Sequence, residues 1–550
     1  MSSWGQVNIF RLCALFLTAL LIPLAIIACG NSSSKELNAT MSQRVHPVLI
    51  RNDHNPLLQL VIKVKHKENI RLRSLSFSLE GTDDLADLES LELFYTGKER
   101  EFLIAETGFG QPAQPATRIS FQGNQVLRSG THVFWLSCRL RSKANLSHKV
   151  DAACTNIDTT VGKITPQDKS PGVRKRIGFA LRKPTDDNVH TYRIPVLTTT
   201  PKGTLLSVYD VRRRSSRDLQ EDIDIGLSRS IDGGQTWESP RIIMDMGEYG
   251  GFPQEQNGVS DPGIIVDHET GEIFCFATWM LGKPGKHQWT EDGSEPGYKI
   301  GKSAQFMMVR SKDDGQTWTK PENMTRKLKR EEWWLLAPSP QQGINLEDGT
   351  LVMPTQGRDG KGVSFSNLMI SRDHGTTWSI SSPAYSGGSE CQAVQLDNGS
   401  IMLNMRNQHQ PYRAVFITHD IGQTWHPHRT NINTLIEPNC NGSLYRFDYE
   451  NEGEKKHLLL FSNPHSQQTR THQTIQVSLD QGLTWPKKYH LLLDEGLGKG
   501  YPSITKIDNQ HIGIVYEGSQ STSRDKERIN SRPNSILAFE KISLDELLKR

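Results

Sequence analysis

The sequence predicts an all-β chain, a six-bladed β-propeller with an N-terminal β-sandwich-like domain. Two observations carry that prediction. An octapeptide of the form Ser/Thr-x-Asp-x-Gly-x-Thr-Trp occurs five times, at Ser230–Trp237, Ser311–Trp318, Ser371–Trp378, Thr418–Trp425 and Ser478–Trp485. Self-similarity at intervals of a few tens of residues marks stacked or radially arranged units. Each copy also directly follows a short apolar or alternating run (IDIGLSRS, AQFMMVRS, FSNLMIS, RAVFIT, TIQVS), which is strand chemistry entering a tight turn. Asp and Ser or Thr side chains bond to nearby backbone in turns, Gly supplies positive φ, and the Trp can fill the space between sheets. The five aspartates are therefore read as turn-formers, not as ligands or catalysts. Five such units and a sixth without the octapeptide close a ring that leaves only short, protected edges. The sixth is expected where strands near HIGIVYE and NSILAFE meet RIGFAL.

In chain order, the first feature is an apolar stretch, Phe10–Ala28, with one basic residue, Arg11, followed by Cys29 and a polar GNSSSKE continuation. It resembles a bacterial lipoprotein signal: residues 1–28 a signal peptide, Cys29 the acylated first residue, and 29–44 a polar tether. A lipid would tether the protein to a membrane surface without spanning it. The expected location is the bacterial cell envelope (periplasmic or cell-surface), or the exterior if the signal is an ordinary secretory one. Residues 45–165 lack the octapeptide and read as strands (LLQLVIKVKHK, RLRSLSFSL, ESLELFYTG, THVFWLSCRL), hence a β-sandwich. Tyr95 and Trp135 are its candidate sugar-binding aromatics, although Trp135 sits in an apolar run that suits a core. Residues 166–176 read as a linker and 177–545 as the propeller. Beyond Cys13 and Cys29, five cysteines remain, without a C-x-x-C pair; Cys138 and Cys154 are a possible bridge or two buried thiols. Lys and Arg (64) nearly balance Asp and Glu (61), which gives no electrostatic case for nucleic acid.

Tyr192-Arg193-Ile194-Pro195 precedes the first octapeptide. Arg-Ile-Pro followed by several such repeats resembles the exo-α-sialidases (neuraminidases) with Asp-box, or BNR, repeats, over roughly residues 175–545. The site that this resemblance implies is built around an anion. The anionic sugar needs fixed positive charge, which guanidinium forks supply to carboxylates; the three family arginines match Arg193, Arg406 in GSIMLNMRNQ, and Arg470 in FSNPHSQQTRTHQTIQVS. A carboxylate nucleophile beside the substrate carboxylate would meet like-charge repulsion, and sialidases use a tyrosine. Tyr501 in GKGYPSITKI matches it, with Glu390 in GSECQAVQL taking up its proton. Asp218 matches the acid/base, six residues after Arg212, which is read as a contact to a ring hydroxyl. Glu517 in GIVYEG matches the glutamate that holds Arg193. Asp261 in NGVSDPGIIVD matches an aspartate near the sugar's amide or C4 hydroxyl. The long loop Leu281–Lys299 carries Trp289, a candidate platform for the aglycone.

The activity implied is hydrolysis of terminal sialic acids from glycoproteins, gangliosides and oligosaccharides with net retention, by a monomer that needs no metal or other cofactor. The alternatives are an intramolecular trans-sialidase and a non-catalytic sialic-acid-binding propeller. A binding protein would keep the arginines but has no need of Asp218, Tyr501 and Glu390 together.

Overall fold

The structure, a computed structural model, describes residues 37–65, 69–102, 108–219, 221–282, 293–409, 411–519 and 535–549. The signal-like segment, Cys13, Cys29 and Trp289 lie outside them. No helix among the described residues is long and apolar enough to cross a membrane.

Two sheets form the N-terminal domain, antiparallel except where Gln167–Asp168 lies parallel to Leu37–Ser42. One runs in the order Gln167–Asp168, Leu37–Ser42, Asn55–Val64, Gly130–Leu140, Leu88–Gly97; the other Gly162–Ile164, Ala153–Thr159, Ile70–Ser78, Arg118–Leu127. Alternate residues turned inward, such as Leu58, Leu60 and Ile62 against Leu72, Leu75 and Phe77, share one buried core, as packed sheets require. Two expectations change here, and the open reading of Cys138 and Cys154 is decided. Residues 37–42 belong to the sheet and not to a tether. The 166–176 segment is paired rather than loose: Thr40 faces Gln167, and Val150 faces Lys175. Its polar composition hid short edge strands whose backbone is satisfied by neighbours. Cys138 and Cys154 lie on different sheets and are free, buried thiols, like the other three described cysteines. Trp135 is buried against Val61 and Val133 and so offers no open face to a sugar, while Tyr95 is half-buried, its hydroxyl bonding His132 Nδ1 at 2.7 Å.

Beyond this domain the strands pair in six four-stranded antiparallel groups. The first is Thr191–Thr199, Leu205–Arg212, Ile223–Ser230, Arg241–Met244. The second is Asn257–Val266, Ile273–Leu281, Gln305–Ser311, Glu322–Asn323. The third is Leu335–Pro338, Leu351–Arg358, Ser364–Ser371, Ser379–Ile380. The fourth is Gly388–Gln395, Ile401–Asn407, Ala414–Thr418, His426–Pro427, and the fifth Ser443–Asn451, Glu454–Pro464, Gln473–Ser478, His490–Asp494. The sixth takes Gly500–Asp508, His511–Glu517 and Leu537–Ser543, then Lys175–Arg182 from the other end of the ring.

Every octapeptide links the third strand of a group to the fourth. In the first, Ser230 Oγ donates to Asp232 Oδ1 at 2.8 Å, and Thr236 N–H and Oγ1 donate to the two Asp232 oxygens at 2.9 and 2.5 Å. Gly234 N–H returns to Ser230 Oγ at 3.0 Å. The other four repeat this bonding around Asp313, Asp373, Asp420 and Asp480. The bonds favour the ionised form; at Asp313 those from Thr317 pull the carboxyl down to about 2. Pairing of Ser230 with Leu205, and of Leu205 with Thr199, sets this turn at the far end of Thr191–Thr199, the strand that carries Arg193 near its start.

Candidate active site

The pocket residues gather at the opposite end, where the first strands begin. Four of those strands slip register there: between Arg193 and Val196, Ser260 and Gly263, Gly388 and Cys391, and Gly500 and Ser503. Such bulges bend a strand and re-aim a side chain. In three of them a left-handed residue precedes proline: Ile194 (φ 55°), Asp261 (φ 58°) and Tyr501 (φ 52°). A β-branched residue in this region is an outlier, and each strained position costs of order 1–3 kcal/mol. Carboxylates hold two of the three kinks. Ile194 N–H donates to Glu517 Oε1 at 2.7 Å, and Asp261 N–H to Asp210 Oδ1 at 3.0 Å. Arg-Ile-Pro, Ser-Asp-Pro and Gly-Tyr-Pro are thus one device used three times.

Three guanidinium groups surround the phenol of Tyr501. Arg193 and Arg470 lie over its ring, their carbons 5.4 and 5.5 Å from the centroid, and Arg406 Nη1 donates to its hydroxyl at 3.2 Å. Glu517, its side chain wholly buried, takes Arg193 Nε and Nη2 at 3.1 and 3.0 Å. Arg406 is fixed by Glu390 Oε2 at 2.8 Å and Asn439 Oδ1 at 2.6 Å. Arg470 donates to the Lys499 and Asn439 carbonyls, both at 3.1 Å. Asn439, in the left-handed region at φ 53°, thereby joins two arginines. Sequence reasoning missed it, since IEPNCNG carries no signal beyond that of a turn. Burial works against the charge on Arg193, but Glu517, Asp218 and Tyr501 outweigh it and raise its pKa above the ordinary value.

The Tyr501 hydroxyl donates to Glu390 Oε1 at 2.6 Å, with both side chains buried. Burial first, then the Glu390 charge, lifts the phenol well above its ordinary pKa, while Arg406 and Arg470 oppose this. The resting tyrosine is neutral, with a proton acceptor already in contact.

Asp218 stands on the loop after Arg212 with its side chain 42% exposed. It accepts from Arg212 Nη1 at 2.6 Å and lies 3.5 Å from Arg193 Nη1. Arg212 departs from the expectation that it meets a sugar hydroxyl. Its side chain is fully buried, and its fork is spent on Asp210 Oδ2 at 3.1 and 2.8 Å, Asp218, and the Ser216 carbonyl at 2.8 Å. It positions Asp218. Asp210, near the end of a strand, is the hub beneath, accepting from Arg212, from Ser260 Oγ at 2.6 Å and from the Asp261 backbone. Burial, and after it Asp210, Glu390 and Asp218, push the Asp261 carboxyl well above the carboxylate range.

Two family models match the chain: the BNR repeat-like domain over residues 184–515 and the N-terminal domain of BNR-repeat neuraminidase over 36–162. A sialidase of Bacteroides fragilis is 37% identical over 500 residues, 86% of this chain and 91% of its own length. The chain belongs to the bacterial BNR-repeat sialidases. It is, with them, a glycoside hydrolase acting on sialylated glycans. The solved structure of a Hadza microbial sialidase, Hz136, superposes with a TM-score of 0.83 at 35% identity, covering 92% of this sialidase and all of that chain. An intramolecular trans-sialidase from Ruminococcus gnavus gives a TM-score of 0.53 at 21% identity, covering 66% of this chain and 96% of its own. That is a likeness of fold.

Proposed function

We propose that this sialidase hydrolyses terminal α-ketosidic sialic acids with net retention, through Tyr501. The observation that carries the reading is the 2.6 Å contact from the Tyr501 hydroxyl to Glu390 inside a ring of three arginines. Arg193, Arg406 and Arg470 take the substrate carboxylate. Asp218 gives its proton to the glycosidic oxygen as the C2–O bond breaks, and the Tyr501 oxygen bonds to C2 while its proton passes to Glu390. Water then attacks C2, giving a proton to Asp218; the C2–tyrosine bond breaks and Glu390 returns the proton to Tyr501. Two displacements at one carbon restore the original configuration. The neutral Asp261 donates a hydrogen bond to the C4 hydroxyl or the amide carbonyl. The six strand groups act as the blades of one propeller. The sialidase works as a monomer, anchored in the cell envelope through a lipid on Cys29; incorporation of labelled fatty acid that vanishes in Cys29→Ala is the check on the anchor.

The test follows a sialylated trisaccharide by NMR, wild type beside Tyr501→Phe. Release of the α-anomer first, with the variant severely impaired, supports the mechanism. A β-anomer released first, or a variant as fast as wild type, refutes it. A 2,7-anhydro product reassigns the reaction to intramolecular transfer.

A further inference from the structure

Arg358 ends the second strand of the third group at the pocket end. It pairs with Leu335 as Arg212 pairs with Thr191 in the first group. Alternation along the strand puts it on the same face as Val352, which packs with Cys391 and Met405 of the fourth group, the group that carries Glu390 and Arg406. The side chain is half-buried. Among the described residues no carboxylate, carbonyl or hydroxyl accepts from it, whereas Arg193, Arg212, Arg406 and Arg470 are each held by acceptors at 3.1 Å or less. Burial and the neighbouring Arg406 both act against its charge and lower its pKa. A half-buried cation beside another cation, with nothing to balance it, is costly to keep unless a ligand supplies the acceptor.

The sugar's chemistry says which part would do so. Its ring bears the carboxylate on C2, a hydroxyl on C4, an amide on C5 and a three-carbon polyol tail on C6. The proposed mechanism, on which this inference rests, fixes the carboxylate at the three arginines, sets the glycosidic oxygen at Asp218 of the first group, and sets the C4 hydroxyl or the C5 amide at Asp261 of the second. The next substituent round the ring then meets the third group. We propose that Arg358 is a specificity-determining residue that binds the oxygen-rich tail of the sugar, both its C7–C9 hydroxyls and acyl esters carried on them.

The experiment compares wild type, Arg358→Ala and Arg358→Lys on sialyllactose with its tail intact and with the tail trimmed to C7 by mild periodate oxidation and borohydride reduction. Arg358→Ala is expected to lower kcat/KM about tenfold on the intact substrate, the loss of a charge-assisted hydrogen bond, and to leave the trimmed substrate within about twofold. Arg358→Lys should recover part of the loss. Wild type should itself prefer the intact substrate. Equal losses on both substrates, or none on either, overturn the assignment while leaving the sialidase mechanism standing. Failure of wild type to hydrolyse the intact substrate would sink that mechanism and the assignment together. Thermal unfolding separates misfolding from these outcomes, since Arg358 has no ion pair to lose among the described residues.

Discussion

A carboxylic acid kept neutral is a hydrogen-bond donor, and Asp261 is placed to be one. Its carboxyl is buried among Asp210, Asp218 and Glu390, all of which disfavour a second charge. An amide should therefore replace it at little cost. Asp261→Asn is expected to keep kcat/KM within about threefold near pH 7, whereas Asp261→Ala loses the donor and falls further. A collapse of the Asn variant would mean that the ionised form is the one at work. Asp210 is the contrasting case. It holds Arg212, whose side chain is fully buried, and stripping the partner from such a cation costs about 3–5 kcal/mol. The sequence names Arg193, Tyr501 and Glu390 because their motifs are dense. It is silent on Asp210, because an aspartate closing a strand looks the same whether it faces water or a buried guanidinium.

The kinks and corners belong to the scale of elements. The octapeptide template was legible because Ser/Thr, Asp, Gly and Thr each satisfy a bond within the turn. Its fourth position was not, because it reads as any residue. Asp314, His374, Ile421 and Gln481 all stand there in the left-handed region, as Gly233 does, so the turn takes two successive positive-φ residues and imposes the first on whatever side chain is present. Since these corners lie away from the pocket, Asp420→Ala should lower Tm by about 2–4 °C and leave kcat/KM unchanged; lost activity in a fully folded variant would contradict a purely structural role. The acid loop is held differently. Leu219, next to Asp218 and at φ 49°, is completely buried with Met280, Ala304, Leu335 and Ala337, while Trp334 packs alongside. This one side chain pins an otherwise open loop. Leu219→Ala is expected to lower kcat about 10- to 100-fold through misplacement of Asp218, with little change in binding of free sialic acid; unchanged kcat would show that Arg212 alone suffices to place the acid.

The whole molecule is joined where the sequence suggested a linker. Val48–Ile50 lies parallel to Ile177–Phe179, and one buried core runs from Leu37 through Tyr192 to Phe539. At this seam Lys175 is buried, donating to the Arg44 carbonyl at 2.5 Å, with its Nζ 3.1 Å from His46 Nε2. Burial brings its pKa down to about 7 from 10.5. Above pH 7 the unfolded chain binds a proton here that the folded chain releases, so stability rises with pH, by at most about 1.4 kcal/mol per unit. Urea unfolding near pH 7 and pH 8.5 should show the rise in wild type and a flatter profile in Lys175→Met; identical slopes would place the proton elsewhere. Polar composition made this seam unreadable, because TPQDKSPGVRKR looks solvated until its neighbours are known.

The sixth group, which carries Tyr501 and Glu517, takes its outer strand, Lys175–Arg182, from the start of the ring and the one beside it from Leu537–Ser543. During synthesis, then, the earliest strand of the ring waits, unpaired along one edge, for the latest. Until Leu537–Ser543 has been made, the group that carries Tyr501 and Glu517 lacks the strand that joins it to Lys175–Arg182.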